Sequence, residues 1–205
     1  MNNIDTLYQS SGNIREFAGR YADYLSSVLR SANFMVLEKI EAEFEEARAC
    51  GRTVFIAGNG GSASTASSMA NDLGFDIVKK SETDLPLKML SLTDNNSVMT
   101  AIANDVGYEN VFINQLKIHF REGDKLIVIS ASGNSANLVK AVEWVKRRGG
   151  TTIALLGFDG GKLKGLCDIS LHFETLAGEY GPVEDAHLVV NHIFAHWFQL
   201  KFKRR

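Results

Sequence analysis

Five short apolar runs, separated by stretches with helical periodicity, follow one another from Thr53 onward. They span residues 53–57, 87–92, 125–130, 151–156 and 169–173. The runs are largely apolar on both alternating faces, and all except 87–92 contain β-branched residues, which is typical of strands buried between helices. The helical patterns between them span residues 64–73, 97–103, 108–120 and 134–148, and a last helix is predicted over 183–202. The alternation predicts an α/β fold with a doubly wound parallel sheet flanked by helices.

The segment before the first strand has a different pattern. Residues up to about 51 contain no proline and show two apolar stripes of helical spacing, with breaks near residues 11–12 and 31–33. We predict an N-terminal helical extension, residues 1–50, for oligomerisation, followed by the α/β domain that carries the ligand site, residues 51–205. We expect the apolar side chains of these stripes to be buried, either against the domain itself or against a sister subunit.

Charge and cysteine content narrow the class of protein. A net charge of −2 provides no general attraction for nucleic acid or acidic membranes. The two cysteines, Cys50 and Cys167, are far apart, so neither a disulfide framework nor a thiolate zinc site is expected. The polar first 13 residues lack the apolar core of a signal peptide, and no segment approaches membrane-spanning length. We therefore expect a cytoplasmic protein that binds neither nucleic acid nor membrane.

A first glycine-rich loop follows the first strand and opens a helix. Its sequence, Ala-Gly-Asn-Gly-Gly-Ser-Ala-Ser over residues 57–64, lets backbone approach a ligand closely, and the free N–H groups of the helix start attract an anion. A tight turn alone would also favour glycine. Asn59 and Ser62 add polar side chains that such a turn does not need, which favours a binding role.

A second loop, residues 130–135, spells Ser-Ala-Ser-Gly-Asn-Ser before the next helix. Its hydroxyls, backbone N–H groups and helix dipole together form a neutral cradle for an anion. A simple N-cap would need only one serine. Neither loop contains the lysine of a nucleotide P-loop or the spacing G-x-G-x-x-G. The two loops together predict a phosphate monoester as ligand, in preference to ATP or NAD.

Five motifs in order resemble the sugar isomerase (SIS) domain family, and within it the sedoheptulose-7-phosphate (phosphoheptose) isomerases. They are Gly58-Asn59-Gly60-Gly61-Ser62, Thr93-Asp94, the segment from Thr100 to Tyr108, the serine loop from Ser130 to Ser135, and Gly157-x-Asp159-Gly160-Gly161. The resemblance covers nearly the whole chain. It implies a five-stranded parallel sheet and a homotetramer with active sites at subunit interfaces.

The resemblance also implies which residues hold the substrate. Phosphate binding falls to Ser62, Ser130, Ser132 and Ser135, and contacts to the sugar fall to Asn59, Gly60, Thr93 and Asp94. Gly61 and Ala131 complete the two substrate-binding loops.

Conversion of an aldose into a ketose moves a proton between two carbons through an enediol, which needs a base together with an acid or a metal. The resembling family has a His and a Glu after the first loop and a Gln and a His on the last helix, and these four bind zinc. The matching positions here are Ser68, Asp72, Glu184 and His192. The resemblance thus implies Asp72 as base, His192 as acid and Glu184 as the residue that orients the substrate.

The same residues are the candidate metal ligands. Two carboxylates and one imidazole can bind a divalent ion, although less selectively for zinc than the family set does. We expect no cofactor other than, at most, one divalent metal ion, zinc, which Asp72, Glu184 and His192 would hold more weakly than the family set does. We interpret His187, His196 and Trp197 as packing or interface residues, with His187 also a candidate partner of the site.

Two functions remain open on the sequence. The first is a phosphosugar isomerase acting on sedoheptulose 7-phosphate or a close relative. The second is a phosphosugar-binding or assembly protein without catalysis, because the resembling subfamily includes a replication-initiation regulator on the same scaffold. The residues that discriminate between these two functions are those at the altered positions 68, 72 and 184.

Overall fold

The predicted strands form one parallel sheet in the computed structural model, which describes residues 1–81 and 83–203. The strands are β1 (Thr53–Gly58), β2 (Lys88–Ser91), β3 (Lys125–Ser130), β4 (Thr151–Leu156) and β5 (Ile169–His172). Their order in the sheet is β2-β1-β3-β4-β5. The chain therefore moves outward from β1 to β2 and then returns to the other side of β1. This reversal places the loops after β1 and β3 next to each other at the carboxyl edge, where open α/β sheets bind ligands.

Helices cover both faces of the sheet, as predicted. Those of the main domain are α4 (Gly61–Ala70), α5 (Asp76–Ser81), α6 (Asn96–Val106), α7 (Val111–His119), α8 (Ala136–Lys146), α9 (Gly161–Leu166) and α10 (Tyr180–Phe202). A wider π-helical segment, Asn71–Phe75, joins α4 to α5, and a 3-10 turn, Tyr108–Asn110, precedes α7. The sequence patterns missed α5 and α9, each of which has six residues, too few to show a period.

The N-terminal segment forms α1 (Asn3–Gln9), α2 (Ile14–Ser31) and α3 (Met35–Cys50), with the breaks where the sequence predicts them. The stripe of α3 lies in the main core, since Phe44 packs on the rings of Phe194 and Phe198 at centroid distances of 5.3 and 6.0 Å. The domain itself thus covers α3. The oligomerisation role of residues 1–50 stays a prediction. Glu82, Arg204 and Arg205, within the predicted domain 51–205, lie outside the described residues.

Two apolar clusters sandwich the sheet. One joins α2, α3, α4 and α10 to one face, and the other joins α7, α8 and α9 to the opposite face. None of the helices in the described part of the chain is both long and apolar enough to cross a bilayer.

Candidate active site

The serine loop after β3 is held in shape by its own backbone. Ser130 Oγ accepts a hydrogen bond from the Gly133 N–H at 3.0 Å, and Gly133 has a φ of +64°. A Cβ at this glycine would collide with the Gly160 carbonyl oxygen, so no other residue fits without displacement. The tight loop thereby fixes the directions of its hydroxyls at the start of α8.

The fifth sequence motif, residues 157–161, supports the serine loop from outside. The N–H groups of Lys162 and Leu163, just after this motif, donate to Asn134 Oδ1 and to the Gly133 carbonyl, each at 3.0 Å. Gly160 adds a close backbone contact. This motif therefore shapes the candidate site by packing against the serine loop.

The glycine loop after β1 is tied to α8 by side-chain amides. Asn59 and Asn137 exchange two hydrogen bonds, of 3.1 and 2.8 Å, and the Tyr108 hydroxyl donates to Asn59 Oδ1 at 2.9 Å. Asn137 is buried in the first turn of α8 and was not singled out from the sequence. The sequence did contain a signal for Asn137, because this polar residue lies two positions beyond the serine loop on an otherwise apolar helix face.

The two loops enclose a cavity of about 150 Å³. Six predicted binding residues line it, namely Asn59, Ser62, Ser130, Ala131, Ser132 and Ser135, together with Ile129, Tyr180 and Glu184. The volume suits a phosphate group and is well below that of pockets that hold drug-sized ligands. None of these lining residues is Lys or Arg, so apart from the Glu184 carboxylate the lining is uncharged, and the two loops themselves form the neutral cradle that the sequence predicts.

Glu184 forms the wall opposite the serines. Its carboxylate lies against Gly61, where a Cβ would overlap it, so this glycine makes room for the acid. Burial, and secondarily the neighbouring Asp185, raises the pKa of Glu184 above its ordinary value. Glu184 therefore gains in ability to exchange a proton with a ligand in the cavity.

Thr93 and Asp94 lie beside α4, outside the lining of this cavity. The Ser91 and Thr93 hydroxyls are 2.7 Å apart, and both Ser67 and Ser91 donate to Asp94 Oδ1, the latter at 3.0 Å. Asp94 also lines a separate cleft at the β2 edge. Their predicted contact with the sugar stays a prediction.

Asp72 and His192 face each other from two different elements. Asp72 lies in the π-helical segment and His192 on α10, with Oδ2 and Nε2 separated by 3.8 Å. Asn191 Nδ2 donates to the same Asp72 oxygen at 2.6 Å, and Asn71 Nδ2 donates to Oδ1 at 2.9 Å. The His192 side chain is 55% exposed and that of Asp72 20%, so an acid and an imidazole are paired and open to a ligand.

The predicted metal set does not meet at one point within a subunit. Across residues 1–81 and 83–203, no three His, Cys, Asp or Glu side chains are grouped closely enough to hold a metal ion. Glu184 precedes His192 by two turns of α10, roughly 12 Å at 1.5 Å per residue. Ser68 adds only a hydroxyl. The donors of one subunit therefore do not fit a metal ion, and the zinc expected from the resemblance stays a prediction.

Only one of the three α10 side chains interpreted from the sequence as packing or interface residues is buried in the structure. His187 is fully buried, and its ring lies 5.8 Å from that of Phe173. Burial lowers the pKa of His187 to about 4, only partly opposed by the Leu156 backbone, and neither ring nitrogen has a hydrogen-bond partner among the described residues. Trp197 is half exposed and donates to Glu41 at 2.7 Å. His196 is exposed on the same helix.

The family model described as SIS domain matches residues 16–157. The chain belongs to the SIS domain family. The phosphoheptose isomerase of Aneurinibacillus thermoaerophilus is 38% identical over 192 residues, covering 93% of this chain and 89% of that protein. The enzyme of the same name from Rhodospirillum rubrum is 37% identical over 146 residues, covering 71% and 74%.

Solved structures of SIS proteins agree with this fold. The phosphoheptose isomerase from Neisseria gonorrhoeae superposes with a TM-score of 0.76 at 27% identity, covering 91% of this chain and 99% of that one. The phosphoheptose isomerase from Francisella tularensis gives a TM-score of 0.78 at 23% identity, covering 92% and 99%. The five-stranded parallel sheet flanked by helices is therefore confirmed as an SIS fold.

Proposed function

We propose that this SIS protein is a phosphosugar isomerase that interconverts an aldose and a ketose through an enediol. The cavity between the glycine and serine loops carries the proposal, because it offers hydroxyls and helix starts to one phosphate group. Relatives named phosphoheptose isomerase at 37 and 38% identity support the same reaction class. We propose sedoheptulose 7-phosphate, or a close relative, as the substrate.

The separation of the two parts of the site supports a long substrate. Glu184 lies in the phosphate cavity, whereas His192 lies about two helical turns farther along α10. Asp72, in the π-helical segment, lies next to His192. A seven-carbon sugar phosphate can extend from one place to the other, but a triose phosphate cannot. Glu184 then orients the sugar near its phosphate end, and the reacting carbons lie near Asp72 and His192.

Proton transfer is assigned to the paired groups. Asp72 removes a proton from the carbon next to the carbonyl while His192 protonates the carbonyl oxygen, which gives the enediol. His192 then takes the proton from the other enediol oxygen as Asp72 returns its proton to the former carbonyl carbon, so that both groups regain their starting states. Their open position suits a site that a second subunit completes. We propose that this second subunit belongs to a homotetramer. We also propose that the protein acts in the cytoplasm.

A second candidate is a phosphosugar-binding protein without turnover. The observation in its favour is the donor set, in which Ser68 offers no imidazole and no third metal ligand joins Asp72 and His192 within the described residues. Such a protein would use the cavity and leave the acid–imidazole pair idle.

Solvent-proton exchange decides between the two. The natural protein, assayed with sedoheptulose 7-phosphate in D₂O with and without zinc, incorporates deuterium if it is an isomerase. Asp72→Asn removes the base while preserving shape, so kcat falls by about 10²–10⁴-fold with little change in KM. Asp76→Asn is the matched control, because it removes a carboxylate one turn away that pairs only with Lys80 among the contacts of the described residues.

Absence of exchange by the natural protein would contradict the isomerase proposal. Gain of exchange by the triple variant Ser68→His, Asp72→Glu, Glu184→Gln would then identify the chain as a binding protein on an isomerase scaffold. If Asp72→Asn keeps full activity in an active protein, the base is another residue, and Glu184 is the next candidate.

A further inference from the structure

A buried amide on α10 contacts the proposed base. Asn191 has no exposed surface, and its Nδ2 lies 2.6 Å from Asp72 Oδ2, a short hydrogen bond to an acceptor at 20% side-chain exposure. Hydrogen bonds to charged acceptors are stronger than those between neutral groups. The contact therefore fixes one oxygen of the carboxylate from the protein side.

The other end of the same amide is unsatisfied. Asn191 Oδ1 is buried and has no hydrogen-bond partner among the described residues. A buried carbonyl without a partner destabilises the fold, and an apolar side chain of similar size would avoid that cost. The amide of Asn191 thus lowers the stability of the fold locally. Its one remaining contact, the hydrogen bond to Asp72, is the feature that can account for an amide at this position.

The backbone at Asp72 is also irregular. Asp72 is the second residue of the π-helical segment Asn71–Phe75, and such insertions in α-helices are frequent at functional sites. The wider turn faces α10 at the position where Asn191 and His192 are consecutive. One residue of α10 thus contacts the carboxylate from the buried side, and the next approaches it from the exposed side.

We infer that Asn191 is a positioning residue, which holds the Asp72 carboxylate in the orientation that proton transfer requires. The inference rests on the proposed function for its catalytic part. With Oδ2 held by Asn191, the carboxylate cannot rotate away from the side of α10 that bears His192. Asn71 also donates to Asp72 but is exposed, so water can replace it.

A rate cycle tests the catalytic part. Asn191→Leu keeps the branched shape and the number of heavy atoms and removes the donor, and we expect kcat to fall by about 10- to 100-fold while KM changes by less than about twofold. In an Asp72→Ala background the same change has no further effect on kcat, because the group that it positions is gone. Asn71→Ala, the exposed donor to the same carboxylate, costs much less.

An unfolding cycle tests the contact without any need for activity. Asn191→Leu lowers the free energy of unfolding when Asp72 is present, because a charge-assisted hydrogen bond is lost. It raises that free energy in the Asp72→Ala background, because both ends of the amide are then unpaired. If Asn191→Leu does not fold, Asn191→Ala is compared in the same two backgrounds.

The outcomes separate the two claims. If kcat is unchanged in Asn191→Leu, or falls equally in both backgrounds, Asn191 has no positioning role. If the natural protein exchanges no substrate proton, the proposed function fails and the catalytic part fails with it, whereas the unfolding cycle still decides whether Asn191 holds Asp72. An unfolding cycle with no coupling overturns the inference whatever the activity.

Discussion

At the scale of the residue, the phosphate cavity depends on neutral hydroxyls. Ser132 lines it next to Ser130 and Ser135, and none of the described lining residues is a cation. A phosphate in this cavity would meet hydrogen-bond donors and helix starts but no cation, and the Glu184 carboxylate lies on the opposite wall, so nothing there compensates an added negative charge.

Ser132→Asp should therefore abolish phosphosugar binding. Two like charges a few ångströms apart at the edge of a protein repel strongly enough to weaken binding by at least about a hundredfold. Calorimetric titration with a heptose or hexose phosphate measures the change. Ser26→Asp, an exposed position on α2, is the control for added charge. Unchanged affinity in Ser132→Asp would remove the cradle from the proposed site.

His187 gives the fold a dependence on pH. Its pKa is lowered from 6.5 to about 4 by burial, so between these values the unfolded chain binds a proton that the native protein does not. His187 therefore does not lower the free energy of unfolding above pH 6.5, and it lowers that free energy progressively as the pH falls from 6.5 toward 4. The shift corresponds to about 3 kcal/mol.

His187→Leu removes this contribution. We expect the loss of unfolding free energy between pH 7 and pH 4 to be smaller in the variant by about 3 kcal/mol, because no buried imidazole has to be protonated. Urea unfolding at a series of pH values measures it. Parallel curves for the two proteins would show that His187 accepts a proton in the native state.

At the scale of the element, α10 organises the site and α2 holds α10 in place. Two tyrosines one turn apart on α2 bind two acids near the start of α10. Tyr21 donates to Asp185 at 2.6 Å, and Tyr24 donates to Glu179, which is 1% exposed. Burial and Glu179 raise the pKa of Tyr24 to about 12, which keeps its hydroxyl a donor at neutral pH.

Tyr24→Phe should loosen this junction. The buried Glu179 carboxylate loses a donor and retains the N–H groups of Asn3 and Leu176, so we expect a loss of about 1–3 kcal/mol in unfolding free energy. Hydrogen exchange should rise in α1 and α2. Tyr8→Phe, an exposed ring, is the control and should be neutral. Equal stability of both variants would show that the α2 contact contributes nothing.

At the scale of the whole molecule, exposed apolar residues support association. Ile193, Trp197 and Leu200 on α10 are between 40 and 73% exposed, beside the open acid–imidazole pair. Light scattering at micromolar concentration should give the mass of a homotetramer, with the leading helices in the interface. A monomer mass would contradict the assembly and the proposal that a second subunit completes the site.

Local patterns in the chain were enough to predict the sheet, the helices on its two faces and the two loops at its carboxyl edge. All five strands were predicted to within one residue at each end, because buried strands carry a local apolar signature. The loops were predicted because glycines and hydroxyls at the start of a helix have a local physical meaning. Glu184 was assigned from the resemblance to the SIS family, and the structure places it roughly 12 Å along α10 from His192.

Contacts between residues that are distant in the chain depend on tertiary packing. Asn137 contacts Asn59 across 78 residues of chain, and Asn191 contacts Asp72 across 119. A buried asparagine looks the same in sequence whether it is a satisfied core residue or a positioning group. The π-helical segment at Asp72 likewise has no pattern of its own, since one extra residue in a turn is stabilised by packing against α10. Contacts of this kind depend on how the helices pack, which local periodicity does not encode.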